Sequence, residues 1–293
     1  MVSVLIVNWN TREFLRACLL SLRDTCAGIE HEVIVVDNAS HDDSAAMMRE
    51  EFPTARLIIN ESNEGYAAAN NQAFAAARGE FIWLLNPDTE VQPLALQQLV
   101  DFLKEGGKRG AVASALIDAR SGRPQLSCRT FPTPASLWVE ASGLARCYPR
   151  SRRFGFYRMG WWRYHDTRQV EQPMASSLLL RRATIEDAGG LFDEQFPIFF
   201  NDVDLCWRLR AAGWQIWYLP MSEVLHHGGG STQQARVEMI EESHRGLRRF
   251  YEKHYRGVIP AALYYVTVAL IEASGKARRW CALSRRSPNG STG

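Results

Sequence analysis

The sequence predicts an α/β protein with a mostly parallel sheet flanked by helices. Three observations carry this. Short apolar runs and amphipathic stretches alternate regularly through the first third of the chain. The run Phe81–Leu85 is continuously apolar, too short for a helix, and bounded by Gly79 and Pro87, as a strand buried on both faces would be. Polar clusters follow the strands at their carboxyl ends, where open α/β sheets bind their ligands.

The elements follow in order. Val2–Val7 reads as the first strand. Thr11–Arg23 reads as a helix with Phe14, Leu15, Cys18, Leu19 and Leu22 on one face, and Asn10 with Glu13 has capping-box spacing at its start. Glu32–Val36 is a second strand, Asp43–Phe52 a second helix and Arg56–Ile59 a third strand. Gly65–Arg78 is an alanine-rich helix that Gly79 is placed to close. After Phe81–Leu85 come a helix over Gln92–Lys104 and a strand over Gly110–Ala113. Residues 118–173 are rich in Arg, Pro and aromatics with poor periodicity, and read as long functional loops rather than a domain. Ser176–Leu180 is a strand, Val203–Ala212 a helix ended by Gly213, Trp214–Leu219 a strand and Gln233–Tyr255 a long charged helix. The tail after Ser284 has a disordered composition.

Composition narrows the function. The chain has 293 residues, enough to bury a large core, and its hydrophobic content of 46% and charged content of 23% are those of a soluble globular protein. A net charge of +2 gives no electrostatic footprint for nucleic acid. The six cysteines form no CxxC pair, which points to reduced thiols and a cytoplasmic compartment. No signal-peptide pattern precedes the first strand. Val258–Ile271 is apolar but contains Pro260 and is shorter than the ~20 residues that span a bilayer. Basic residues Lys276, Arg278, Arg279, Arg285 and Arg286 follow it. Such a segment either lies on an anionic membrane surface or packs on the domain or on a second copy, with residues 233–272 as the face of a homodimer.

Five clusters carry candidate chemistry. Asn86-Pro87-Asp88-Thr89 puts a carboxylate just past a buried strand, a place suited to a divalent cation and, through it, a phosphate. The same residues also favour an ordinary turn. Asn201-Asp202-Val203-Asp204 opens a helix. One carboxylate is a candidate general base, or both serve the helix N-terminus with Asn201 as its cap, and spacing does not decide. His226-His227-Gly228-Gly229-Gly230-Ser231 is either a phosphate cradle with a histidine beside it or a linker. Asp37-Asn38-Ala39-Ser40 ends the second strand, where Asp37 would accept hydrogen bonds from a base or ribose. Asn63-Glu64-Gly65 opens the third helix, whose Asn70 and Asn71 suggest a face turned to a ligand. No G-x-G-x-x-G follows the first strand and no P-loop is present, against a dinucleotide enzyme and a Walker ATPase.

In this order, with Val4-Leu5-Ile6-Val7-Asn8-Trp9-Asn10 at the start, the motifs resemble glycosyltransferase family 2, and most closely its bacterial rhamnosyltransferase-like branch. The resemblance covers residues 2–235. It implies a GT-A domain over 1–232, with a nucleotide-sugar half at 1–110 and an acceptor half at 111–232, and a helical extension and tail at 233–293. It implies an inverting, metal-dependent transfer from a nucleotide-diphosphate sugar, dTDP-L-rhamnose in the first instance, to a saccharide or lipid-linked acceptor in cell-surface polysaccharide synthesis. The enzyme would then be cytoplasmic, or peripheral on the inner face of the plasma membrane.

Carried over by residue, Asp202 would be the catalytic base, and Asp88 with His226 would hold Mg2+ or Mn2+. Asn8, Asn10, Asp37, Asn63, Gly65, Asn71, Asn86, His226, Gly228 and Gly229 would line the donor, and Arg129, Asn201 and Trp161 the acceptor. Two positions depart from the family pattern: Asn86 stands where it has a first metal-site acid, and Asn201 where it has Glu before the base. Two other classes stay open, a nucleotidyltransferase and a non-catalytic binding protein on a degenerate transferase scaffold.

Overall fold

The computed structural model describes residues 1–228 and 236–284. Its elements in chain order are β1 (Val2–Asn8), α1 (Arg12–Thr25), β2 (His31–Asp37), α2 (Ser44–Glu51), β3 (Arg56–Ile59), α3 (Tyr66–Ala76), β4 (Phe81–Leu85), β5 (Thr89–Val91), α4 (Ala95–Lys104), β6 (Arg109–Asp118), β7 (Cys128–Arg129), α5 (Pro134–Ala141), α6 (Leu144–Cys147), β8 (Arg168–Val170), β9 (Gln172–Pro173), β10 (Ser177–Arg181), α7 (Arg182–Asp187), α8 (Asn201–Ala211), β11 (Gln215–His226), α9 (Arg236–His254) and α10 (Ala261–Ser284).

The main sheet has the order β3-β2-β1-β4-β10-β6-β11-β5, with β8 beside β11. The first four strands are parallel, as their alternation with helices requires. β10 enters antiparallel between β4 and β6, and β5 runs antiparallel to the end of β11. All residues of β1 and β4 are buried. The period of two along β1 divides the core. Val2, Val4 and Ile6 face the helices α1, α2 and α4, and Leu5 and Val7 face α3, α8 and α9. Each such side chain contributes about 1.5–3 kcal/mol when fully buried.

Several local expectations change on folding. The Asn10–Glu13 capping box does not form. Asn10 takes a left-handed conformation (φ 52°), its Oδ1 accepts from the His41 amide, and Asp42 accepts from the Arg12 amide at 2.8 Å. Gly79 does not close α3, which ends at Ala76. A Cβ there would lie 2.6 Å from the Ser3 amide nitrogen, so this glycine lets the chain pass against β1. β11 runs to His226, well past Leu219, and a register shift between Leu219 and Glu223 absorbs Pro220. β5 and α7 have too few residues to show a period.

Residues 118–173 hold short elements rather than bare loops, and they are anchored in the core. Trp162 and Tyr164 are stacked with ring centroids 4.1 Å apart, and both set their edges against Tyr218 of β11. α9 adds Phe250, Tyr251 and Tyr255 to the same core. α10 lies along α9 and α5. It buries Thr267 and Ile271 and leaves Tyr265 and Val266 exposed. Among the described residues no helix is long and apolar enough to cross a membrane. Cys18, Cys26, Cys128, Cys147 and Cys206 are free thiols. The expected 232/233 boundary, the glycines Gly229 and Gly230, Ser231 and the tail after Ser284 lie outside the described residues.

Candidate active site

The strand order brings the carboxyl ends of β1, β2 and β4 together, and the polar clusters meet there. Asn8 ends β1 fully buried. Its Nδ2 donates to Asp37 Oδ1 at 2.8 Å, and the Ser40 amide donates to Asp37 Oδ2 at 3.1 Å. A buried polar pair needs such partners to offset its desolvation. Asn38 Nδ2 donates to Asn63 Oδ1 at 2.8 Å, and the Gly65 amide donates to the same oxygen at 3.0 Å. Gly65 has φ 86°, and a Cβ on it would lie 3.1 Å from the Pro197 carbonyl, so it fits α3 against the loop before α8. Asn71 is spent on that loop too: it donates to the Phe192 carbonyl at 2.9 Å and accepts from the Phe192 amide at 3.0 Å.

The turn after β4 holds the second group. Asn86 bridges two elements: the Tyr66 hydroxyl donates to its Oδ1 at 3.2 Å, and its Nδ2 donates to Ser176 Oγ at 3.0 Å. The amide thus serves as acceptor to one neighbour and donor to the other. Asp88 is 8% exposed, and its Oδ1 lies 3.4 Å from His226 Nε2 at the end of β11. His227 turns the other way, its Nε2 2.6 Å from Glu90 Oε1.

Gln125 fixes the tautomer of His226. Its Nε2 donates to the His226 carbonyl at 3.1 Å, which leaves Oε1 to accept from His226 Nδ1 at 2.8 Å. With Nδ1 so engaged, Nε2 is the ring nitrogen that faces the Asp88 carboxylate. A carboxylate oxygen and an imidazole nitrogen side by side are a donor pair for a cation. The donor set fits a hard divalent ion held by one carboxylate and one imidazole, with diphosphate oxygens completing its shell. Among the described residues no third His, Cys, Asp or Glu joins them.

The start of α8 faces these strand ends. Phe200 sits at φ 69°, a conformation costly for a non-glycine residue, and packs its ring 6.0 Å from that of Phe250. Asn201 is not the helix cap; it is the first helical residue and 3% exposed. Its Nδ2 donates to the carbonyls of Phe196 and Ile198, and its Oδ1 accepts from the Asp202 amide at 2.7 Å. A glutamate would set a carboxylate against those carbonyls. The side chain thus holds the loop that presents Asp202.

The two acids of α8 part company. Asp204 is fully buried and bound by Arg208, Lys253 and His254, each at 2.7 Å. Asp202 accepts from its neighbour's amide, Val203 N, at 2.8 Å. Burial pushes the Asp202 carboxyl above its ordinary range, with the Val203 amide, the Arg129 charge and the Ala175 amide pulling the other way. Tyr66 lies between the acidic groups. Its phenol is pushed well up by burial and further by the charges of Asp202 and Asp88. It stays neutral and able to donate.

Arg129 thus belongs with Asp202, but Trp161 does not join this group. Trp161 lines a separate cavity that includes none of the residues above. Tyr66 and Gln125 are the site residues that sequence reasoning missed.

The mostly parallel sheet flanked by helices is that of the GT-A fold. The profile of glycosyl transferase family 2 matches residues 3–167, and the chain belongs to that family. Asp202 and His226 lie beyond the matched stretch. An N-acetylglucosaminyl-diphospho-decaprenol L-rhamnosyltransferase of Mycobacterium tuberculosis is 29% identical over 237 residues, 77% of this chain and 76% of that relative. An uncharacterised protein of the same organism, MT1568, is 35% identical over 81% of this chain and 70% of its own length. Among solved structures, the mannosyltransferase PcManGT of Pyrobaculum calidifontis, in complex with GDP-Man and Mn2+, superposes with a TM-score of 0.59 at 18% identity, over 99% of this chain and 76% of that one. S. aureus TarS 1-349 in complex with UDP-GlcNAc gives 0.59 at 17% identity, over 92% and 71%.

Proposed function

We propose that the protein transfers L-rhamnose from a dTDP-linked donor, with inversion, to a saccharide carried on a lipid diphosphate at the inner face of the plasma membrane. The observation that carries this reading is the pairing of Asp88 and His226 at the strand ends with Asp202 on the facing helix, both acids close enough for their charges to act on Tyr66. The rhamnosyltransferase relative supports the choice of donor and acceptor.

Asp37, held by Asn8 and Ser40, accepts hydrogen bonds from the nucleoside, and Asn63 and Gly65 shape the wall beside it. Asn10 and Gly228, both at positive φ, set the loops that border the donor. Asp88 and His226 would hold Mg2+ or Mn2+, which would supply a Lewis acid for the charge on the departing diphosphate. Asp202 takes the proton of the acceptor hydroxyl as its oxygen attacks the anomeric carbon. The bond to the nucleoside diphosphate breaks on the opposite face, so one displacement inverts the configuration. The Arg129 charge opposes the burial that raises the Asp202 carboxyl, and adds positive charge on the acceptor side.

Thermal melting with dTDP, UDP, GDP or CDP and Mn2+, Mg2+ or chelator tests the donor half. A true ligand at 100 times its dissociation constant adds about 2.7 kcal/mol. We expect a metal-dependent rise with dTDP that Asp88→Ala abolishes. A shift of Asp88→Ala that stays equally metal-dependent removes Asp88 as the ligand, and no shift with any nucleotide argues against the transferase reading. Gln125→Leu keeps the volume of the side chain but frees the His226 ring. The metal concentration for half-maximal stabilisation by dTDP should rise about 10–100-fold, the usual cost of losing a partner of a metal-binding histidine. An unchanged metal titration would show that Gln125 does not set the tautomer.

A further inference from the structure

The cavity away from the strand ends, about 360 Å³ in volume, is lined by Arg152, Trp161, Arg163, His165, Asp166 and Arg168 among others. Its charge is unbalanced. Asp166 is the single acid, and it is already engaged by Arg168 at 3.0 Å and by the Trp162 indole N–H at 2.5 Å. Among the described residues neither Arg152 nor Arg163 has a carboxylate partner. Both are exposed, so their donors are open to a ligand. Arg152 and Arg168 lie over the Trp161 ring, at 4.8 and 5.2 Å from its centroid. Stacking of this kind orients a guanidinium and leaves its edge N–H groups free for an oxyanion.

The loop that leads to the cavity, and the helices that precede it or pack on them, present apolar groups to solvent. The Pro149 carbonyl sits under Gly155 and Gly160, where any Cβ would collide with it, so the loop from Tyr148 folds back toward Trp161. Tyr148 is 56% exposed and packs against Phe154, ring centroids 5.7 Å apart. Trp138 of α5 and Leu144 of α6 are exposed just before it, and α10, packed on α5, exposes Tyr265 and Val266. Exposed aromatics beside unpaired arginines make up the chemistry of a membrane interface: rings at headgroup depth and cations for lipid phosphate.

We propose that this cavity binds the phosphate of an anionic lipid headgroup and, with the exposed rings of α5, α6 and α10, seats the protein on a membrane surface. The cavity is large enough for a phosphate and part of the group esterified to it. It supplies what an amphipathic helix alone lacks, a place for one phosphate. The inference concerns residues that the transfer chemistry does not use.

Sedimentation of the full chain with vesicles tests it, with no donor or acceptor present, so that it fails or succeeds apart from the transferase reading. Vesicles containing a third phosphatidylglycerol should bind, and pure phosphatidylcholine should not. Arg152→Gln/Arg163→Gln should weaken binding by about 30-fold, from roughly 1 kcal/mol for each basic residue at the surface. Lys104→Gln/Lys108→Gln removes the same charge from the end of α4 and should change little. Equal binding by the Arg152/Arg163 variant, or an equal loss in the lysine variant, would overturn the site. Stabilisation of the wild type by inorganic phosphate without any vesicle binding would overturn the lipid assignment in favour of a soluble phosphate ester. Melting curves of the two variants establish that each is folded.

Discussion

Asp202→Asn should lower transfer by about 10²–10⁴-fold, the usual contribution of a positioned general base, and leave donor binding intact. The substitution keeps the oxygen that accepts from the Val203 amide, so the start of α8 has no reason to move. It removes only the ability to take a proton. Stability argues the same way. Burial raises the folded-state pKa of Asp202 above its unfolded value, so the carboxylate form is the unfavourable one in the fold, and above that pKa its charge costs stability. A neutral amide should therefore leave the melting temperature unchanged or raise it. A large loss of transfer without loss of melting temperature separates chemistry from unfolding. The pH profile adds a sign. The base works ionised, so the rate should fall as pH drops through a pKa above the ordinary 3.8 of aspartate, and that acid limb should vanish in the variant. Transfer by Asp202→Asn within tenfold of the wild type would remove Asp202 from the role.

The nucleotide side of this site was legible in the sequence because the residues that build it are local. A buried strand announces its end by the change from Phe81–Leu85 to Asn-Pro-Asp, and the same change marks Asn8 and Asp37. What the sequence hides is which polar residue is spent on structure. Asn71 and Asn201 look like ligand contacts in a one-dimensional reading, yet both hold loops, and their partners, backbone atoms and for Asn71 also Glu194, lie at positions no spacing reveals. Tyr66 follows Asn63-Glu64-Gly65, a signal that was present, but an aromatic on an alanine helix reads as core. Gln125 lies in an aperiodic stretch and meets a histidine about a hundred residues away, across β6 and β11. Trp161 and Arg129 come from one region of poor periodicity, yet Trp161 lines a cavity that does not include Arg129, while the charge of Arg129 acts on Asp202.

The choice between Asp202 and Asp204 shows the same limit and yields the largest stability effect. Two residues apart in the first turn of a helix, they are equal by sequence. Partners on α9, some fifty residues on, decide between them. Asp204 is fully buried, and burial alone would raise its pKa. Hydrogen bonds from His254, Lys253 and Arg208 outweigh that cost and hold it at about 2. Arg208 also donates to the carbonyls of Ala188, Gly190 and Leu191, so this one carboxylate ties α8 to α9 and to the turn after α7.

Asp204→Ala would leave Arg208 and His254 without their carboxylate partner and Lys253 with Asp193 alone. Loss of one partner from a buried network of this kind costs about 3–5 kcal/mol. Denaturant unfolding should show it as a lower midpoint at unchanged slope. Asp24→Ala, which removes the exposed partner of Arg23, should cost less than about 1 kcal/mol. The pH dependence follows from the sign of the shift. The folded pKa is below the unfolded value, so the stabilisation is full above about pH 4 and is lost as pH falls toward 2. The wild type should therefore lose about 2 kcal/mol more than Asp204→Ala does across that window. If the two proteins lose stability in parallel from pH 4 to 2, Asp204 is not the clamp between α8 and α9.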